Sequence, residues 1–176
     1  MVFVRWVDYF NKGLKLILGL LFVAMTLSFF FNIAVRFVFT ALDIHISVPW
    51  TQELATYIMI WSVFLGIAVA VRNDKLISME LFVHTLPAKL GKILKVGALL
   101  LTVVFFFYLI FIGYDLAFNQ GSRQTSPVMG ISMTIIYISM FIGSIIAIVN
   151  IFTLFLETYL TKKDIRFVAS DEESVD

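Results

Sequence analysis

The chain has 176 residues, 61% of them hydrophobic and 14% charged, with a mean hydropathy of +0.99 and a formal net charge of +1. That composition excludes an ordinary soluble domain and leaves room for several membrane spans; no nucleic-acid partner is expected. There is no cysteine, which excludes disulfides, thiol catalysis and cysteine-ligated metal or iron–sulfur centres, and neither His45 nor His84 lies in an apolar run, which excludes histidine-ligated haem within the bilayer.

Arg5, Lys12 and Lys15 precede an apolar run from Leu16 to Val35. At about 20 residues the run exceeds the core of a signal peptide, and no small-residue cleavage site follows it. It predicts a retained first span over about 16–36, closing near Asn32 and Arg36. A connector containing Asp43 and His45 leads to Pro49, a residue suited to a helix start.

The next stretch, WTQELATYIMIWSVFLGIAVAVR from Trp50 to Arg72, organises the rest. No side chain from Leu54 to Val71 is ionised, so it predicts a second span over about 51–71. Glu53 falls in the first helical turn, where the positive end of the dipole favours an anion. Trp50 suits the headgroup level, and Arg72 is expected just past the far end, in water. Trp61, at mid-span, needs a partner for its indole N–H and is expected to face protein. Gly66 and Ala70 form a small-xxx-small pair that permits close helix approach.

After Arg72, Leu76, Met79, Val83, Leu86 and Leu90 recur at steps of three and four. This predicts a short amphipathic helix lying in the interface, broken before Pro87. A third span is predicted over about 95–118, then a Gly- and Pro-punctuated loop, NQGSRQTSPVMG, and a fourth span over about 131–156. Residues 161–176 are basic and then acidic, and are expected to be a tail disordered at its end. The predicted fold is therefore an all-α integral membrane domain with four transmembrane helices and one interfacial helix.

Eleven of the thirteen Lys and Arg residues fall in the N-terminal segment, the connector between spans two and three, and the tail, leaving Arg36 and Arg123 on the other side. The positive-inside rule then predicts both termini in the cytoplasm. The outer rim collects Arg36, Asp43, His45, Glu53, Asp115 and Arg123, as solvated helix ends or as a docking surface; Glu53 and Arg36 can also pair with each other. The middles of the spans offer only Ser, Thr and Tyr (among them Thr26, Ser62, Thr102 and Ser144), which can bond back to their own helices. Asn32 and Asn150, nearer the ends, suit interhelical bonding. No carboxylate pair, nucleophile–base pair or metal-ligand spacing is present, so neither catalysis nor a cofactor is expected.

The pattern W-x-x-E-L-A-x-Y-x-x-x-W-x-x-F-L-G-x-A-x-A-x-R, spanning Trp50, Glu53, Tyr57, Trp61, Gly66, Ala70 and Arg72, resembles the small, DctQ-type membrane subunit of tripartite ATP-independent periplasmic (TRAP) transporters. Asn32, Arg36, Leu86-Pro87 and T-S-P-V-M-G-I followed by Tyr137 support the resemblance, which covers nearly the whole chain. Leu76-Ile77 stands where the family often has His-Ile, and Ser132 and Phe141 stand where it often has prolines in the fourth span. The resemblance implies an inner-membrane, three-part system. A periplasmic binding protein captures an organic acid, a large subunit moves it with sodium, and the small subunit braces the large one and adds to the docking surface. The rival reading is a small homo-oligomeric transporter or channel, disfavoured because Glu53 sits too near a helix end to serve as a membrane-embedded carboxylate.

Overall fold

The computed structural model describes residues 2–41, 48–72 and 88–161. Asp43, His45, the predicted interfacial residues Leu76, Met79, Val83 and Leu86, and the tail beyond residue 161 lie outside the described residues. Four long helices carry the fold: α1 (Val2–Ala41), α2 (Pro49–Arg72), α3 (Ala88–Tyr114) and α4 (Thr134–Thr161). A π-helix (Asp115–Gln120) and a 3₁₀ turn (Gly121–Arg123) extend α3. All four helices include stretches long and apolar enough to cross a membrane. In hydrocarbon every backbone N–H and C=O must be satisfied internally, and continuous helices do this.

The first helix is longer than its apolar run predicts. It begins at Val2 and has 40 residues, about 60 Å at 1.5 Å per residue, against a hydrocarbon core of about 30 Å. Its inner face is set by Val7, Asn11, Leu14 and Leu18, at steps of four, three and four, all buried. Leu14 and Leu18 pack on Leu65 and Val69 of α2.

The helices follow one another across the bundle in the order α1–α2–α4–α3, with the N-terminal part of α1 also touching α4. The middle pair, α2 and α4, shares a core with α3: Ala68 and Val71 meet Ala147, Ile151 and Leu154, which also meet Leu99 and Phe106. No Cα of α1 comes within 8 Å of α3. Between the long helices, the tightest glycine joints lie in α3 and α4 rather than at Gly66 in α2. A Cβ on Gly143 would sit 2.7 Å from Phe64 Cβ, and one on Gly113 would sit 3.0 Å from the Phe141 backbone, whereas one on Gly66 would meet only Leu18 at 3.9 Å.

Candidate functional site

Two polar clusters lie at opposite ends of α2, separated by 19 residues, which is about 28 Å of helix. The first is built around Glu53. The segment from Gln124 to Met133 closes as a hairpin: Ser126 N–H donates to Ile131 O (2.8 Å), Met133 N–H to Gln124 O (3.0 Å) and Gly130 N–H to Ser126 O (3.2 Å). The turn is made possible by Gly130, whose φ of +66° costs other residues strain. The Glu53 carboxylate reaches over to this hairpin. Oε1 accepts from the Tyr57 hydroxyl and from Ser126 Oγ (2.6 Å), and Oε2 accepts from Met129 N–H (2.9 Å). Three donors converging on one carboxylate suit its ionised, acceptor-only form. Glu53 is thus a clamp on the α3–α4 loop rather than a partner for Arg36.

Neighbouring contacts extend the joint. Trp61 Nε1–H donates to Ile135 O (3.1 Å), so the mid-span indole is bonded to the first turn of α4. Asn32 Nδ2 donates to Thr51 Oγ1 (2.8 Å) and Val48 O (3.3 Å), tying the upper part of α1 to the start of α2. Trp50 packs near Phe31, with ring centroids 6.4 Å apart. Asp115 accepts from Asn119 (2.7 Å) and Gln120 (3.1 Å), partners four and five residues on, as the wider π turn permits. The exposed tip of this end carries Arg123, Gln124, Thr125, Pro127 and Val128.

The second cluster corrects the expectation that Arg72 lies in water. Its side chain is only 8% exposed, and Nη2 lies 2.7 Å from both Asp8 Oδ1 and Glu157 Oε2. Nε also donates to Asp8 (2.8 Å). The guanidinium fork therefore joins α1, α2 and α4 at one point, a geometry that a lysine does not offer. One turn further into the span, Asn11 and Asn150 exchange amide bonds of 2.8 and 2.9 Å, and Asn150 also donates to Ala68 O (2.7 Å). Of the mid-span hydroxyls, those of Thr26, Ser62 and Thr102 bond to the carbonyl four residues earlier, and Ser144 Oγ has no partner among the described residues.

Asp8, Asn11, Glu157 and Ser126 escaped the sequence reading. Their partners lie 64 to 139 positions away, and no local spacing announces such pairs. Asp8 also has Arg5 three positions before it and Lys12 four positions after it, so the sequence offers it partners on its own helix and hides its pairing with Arg72. Lys95, one of the cations between spans two and three, is buried within α3, with 2% of its surface exposed.

Four apolar helices, with their two polar clusters placed in helix–helix and helix–loop joints, define a multi-pass membrane protein. Residues 25–160, more than half of the chain, match the family described as tripartite ATP-independent periplasmic transporters, DctQ component. The chain belongs to that family. It is 24% identical over 150 residues to a protein of Haemophilus influenzae named as a TRAP transporter small permease protein, covering 85% of this chain and 89% of that one. It is also 29% identical over 124 residues to the sialic acid TRAP transporter permease protein SiaT of Haemophilus influenzae, covering 70% of this chain but only 19% of SiaT.

Proposed function

We propose that this chain is the small inner-membrane subunit that braces the large transport subunit of a TRAP system, with both termini in the cytoplasm. The observation that carries the reading is the arrangement of the helices. Its spans hold no ionised group at mid-membrane in α2, yet its outer helices leave broad apolar faces uncovered, including Phe37, Leu101 and Phe111. A chain built this way supports a partner better than it handles a solute. SiaT, in which the segment like this chain is about a fifth of one permease, supports association with a much larger membrane protein. In this reading the large subunit moves an organic acid with sodium. The Glu53-clamped hairpin, with Arg123 beside it, belongs to the periplasmic surface that meets the binding protein.

The test is affinity capture of the tagged chain in mild detergent, followed by mass measurement of the intact complex. Co-purification with one large polytopic subunit, and sodium-dependent uptake by the reconstituted pair with its binding protein, is the expected outcome. Recovery of this chain alone as a defined homo-oligomer that transports by itself would replace the scaffold with the small-transporter reading.

A further inference from the structure

The N-terminal part of α1 has three differently occupied sides. Val7, Asn11 and Leu14 face the bundle and are buried. On the side away from it stand Tyr9, 81% exposed, and Trp6, 71% exposed, with exposed Arg5 and Lys12 beside Tyr9; Lys15, also exposed, stands at the border with the buried side. At 100° per residue, Arg5, Tyr9 and Lys12 fall within one narrow stripe, and the same stripe continues upward as Leu16, Leu20, Val23 and Leu27, all exposed and apolar. The outward face of one helix therefore changes from basic and aromatic to hydrocarbon at Lys15–Leu16.

Charge and depth identify what this face meets. Asp8 is the acid of the segment and pairs with Arg72 at 2.7 Å; Arg5, Lys12 and Lys15 outnumber it, so the segment stays net positive. The Asn11–Asn150–Ala68 contacts put Asn11 one helical turn inside the Arg72 cluster, measured along α2. Lys12 and Lys15 follow Asn11 toward the middle of the span, so their ammonium groups emerge beside lipid. A lysine in that position extends its head back to the headgroup layer, where phosphate oxygens are the available anions. Tyr9 and Trp6 are the side chains that favour the same layer. On the far side of Trp6, an apolar groove of about 160 Å³ runs between Trp6, Phe10, Ile145 and Val149, in reach of an acyl chain.

We propose that the outward face of α1 from Arg5 to Lys15 binds anionic phospholipid, with headgroup phosphates at Arg5, Lys12 and Lys15 and acyl chains along Leu16, Leu20 and Val23. The lipid belongs to the leaflet on the N-terminal side, whichever compartment that is. The binding does not depend on the large subunit. The ion cluster and the paired asparagines fix α1 against α2 and α4, so the basic face is held outward by the fold.

The full chain, purified in mild detergent and placed in nanodiscs of phosphatidylcholine with or without phosphatidylglycerol, is released into a native mass spectrometer and its retained lipids are identified. Phosphatidylglycerol should be retained in preference to phosphatidylcholine, and the preference should fall as salt is raised. Arg5→Gln with Lys12→Gln and Lys15→Gln should reduce it roughly fivefold for each charge removed, the scale of one basic residue at an anionic surface. The charge-keeping set Arg5→Lys, Lys12→Arg and Lys15→Arg should retain it. Equal retention of the two lipids by the wild-type chain would overturn the proposal. So would a preference insensitive to salt, or one unchanged in the glutamine variant. Displacement of the lipid by inorganic phosphate would reduce the face to a simple anion site. Loss of the preference when a large subunit is bound would assign the face to protein instead.

Discussion

Glu53 shows how one side chain can determine the shape of a loop. Its two oxygens serve a hydroxyl on its own helix, a hydroxyl on the hairpin and a backbone N–H at the hairpin's turn. Glu53→Gln removes the charge and puts an amide N–H₂ where a donor already points, so at least one bond is lost. Faster amide exchange at Met129, with helix α2 unchanged, is the expected result; wild-type exchange there would detach Glu53 from the loop. Arg72 acts at the other end of the same helix. Arg72→Gln leaves Asp8 and Glu157 facing each other without a cation. The expected loss is about 2–3 kcal/mol, below the full cost of breaking a buried pair because both acids are partly exposed. Arg72→Lys should recover only part of it, since one ammonium cannot reproduce the fork. Thermal unfolding in detergent measures both variants.

The elements themselves were legible from the apolar runs, because a bilayer demands about 20 residues without charge and soluble packing does not. All four spans follow from that demand. The length of α1 did not follow: Arg5, Asp8, Lys12 and Lys15 mark the first four turns as non-membrane by charge, but charge does not say whether a helix continues. Asn11 and Asp8, bonded to α4 and α2, supply the reason that it does. The close approach of helices was likewise misplaced. Gly66 sits in a recognisable small-residue pair, yet the crowded joint is Gly143 against Phe64, with a bulky partner that no spacing rule reveals. Gly143→Ala should destabilise the α2–α4 joint by about 1–3 kcal/mol through overpacking. Gly66→Ala has room, and should be neutral or slightly stabilising by the helix propensity of alanine. The opposite ranking in a thermal shift series would mean that the α2–α4 spacing is looser than the structure shows.

For the molecule as a whole, the two polar clusters among the described residues fall at opposite ends of α2, and the family match assigns the chain to a multi-component transporter. The motif around Trp50–Arg72 made that family legible because it combines spaced aromatic, acidic and small residues that hydropathy alone would not require. The tertiary role of those residues was not legible, since Ser126 and Met129 stand 73 and 76 positions from Glu53. If the hairpin end meets a binding protein, Arg123→Glu should slow uptake when that protein is scarce, and the loss should shrink as salt is raised. Equal uptake by variant and wild type at low binding-protein concentration would take Arg123 out of the contact.

The order α1–α2–α4–α3 has a topological consequence. A ring of helices encloses an interior, where a solute can be screened from lipid on all sides. A strip has two faces and two edges and encloses nothing, and the ends of this one, α1 and α3, never meet. Among the described residues, one copy of the chain therefore encloses no lumen of its own to open or close. It can form one boundary of a chamber whose remaining walls come from other molecules.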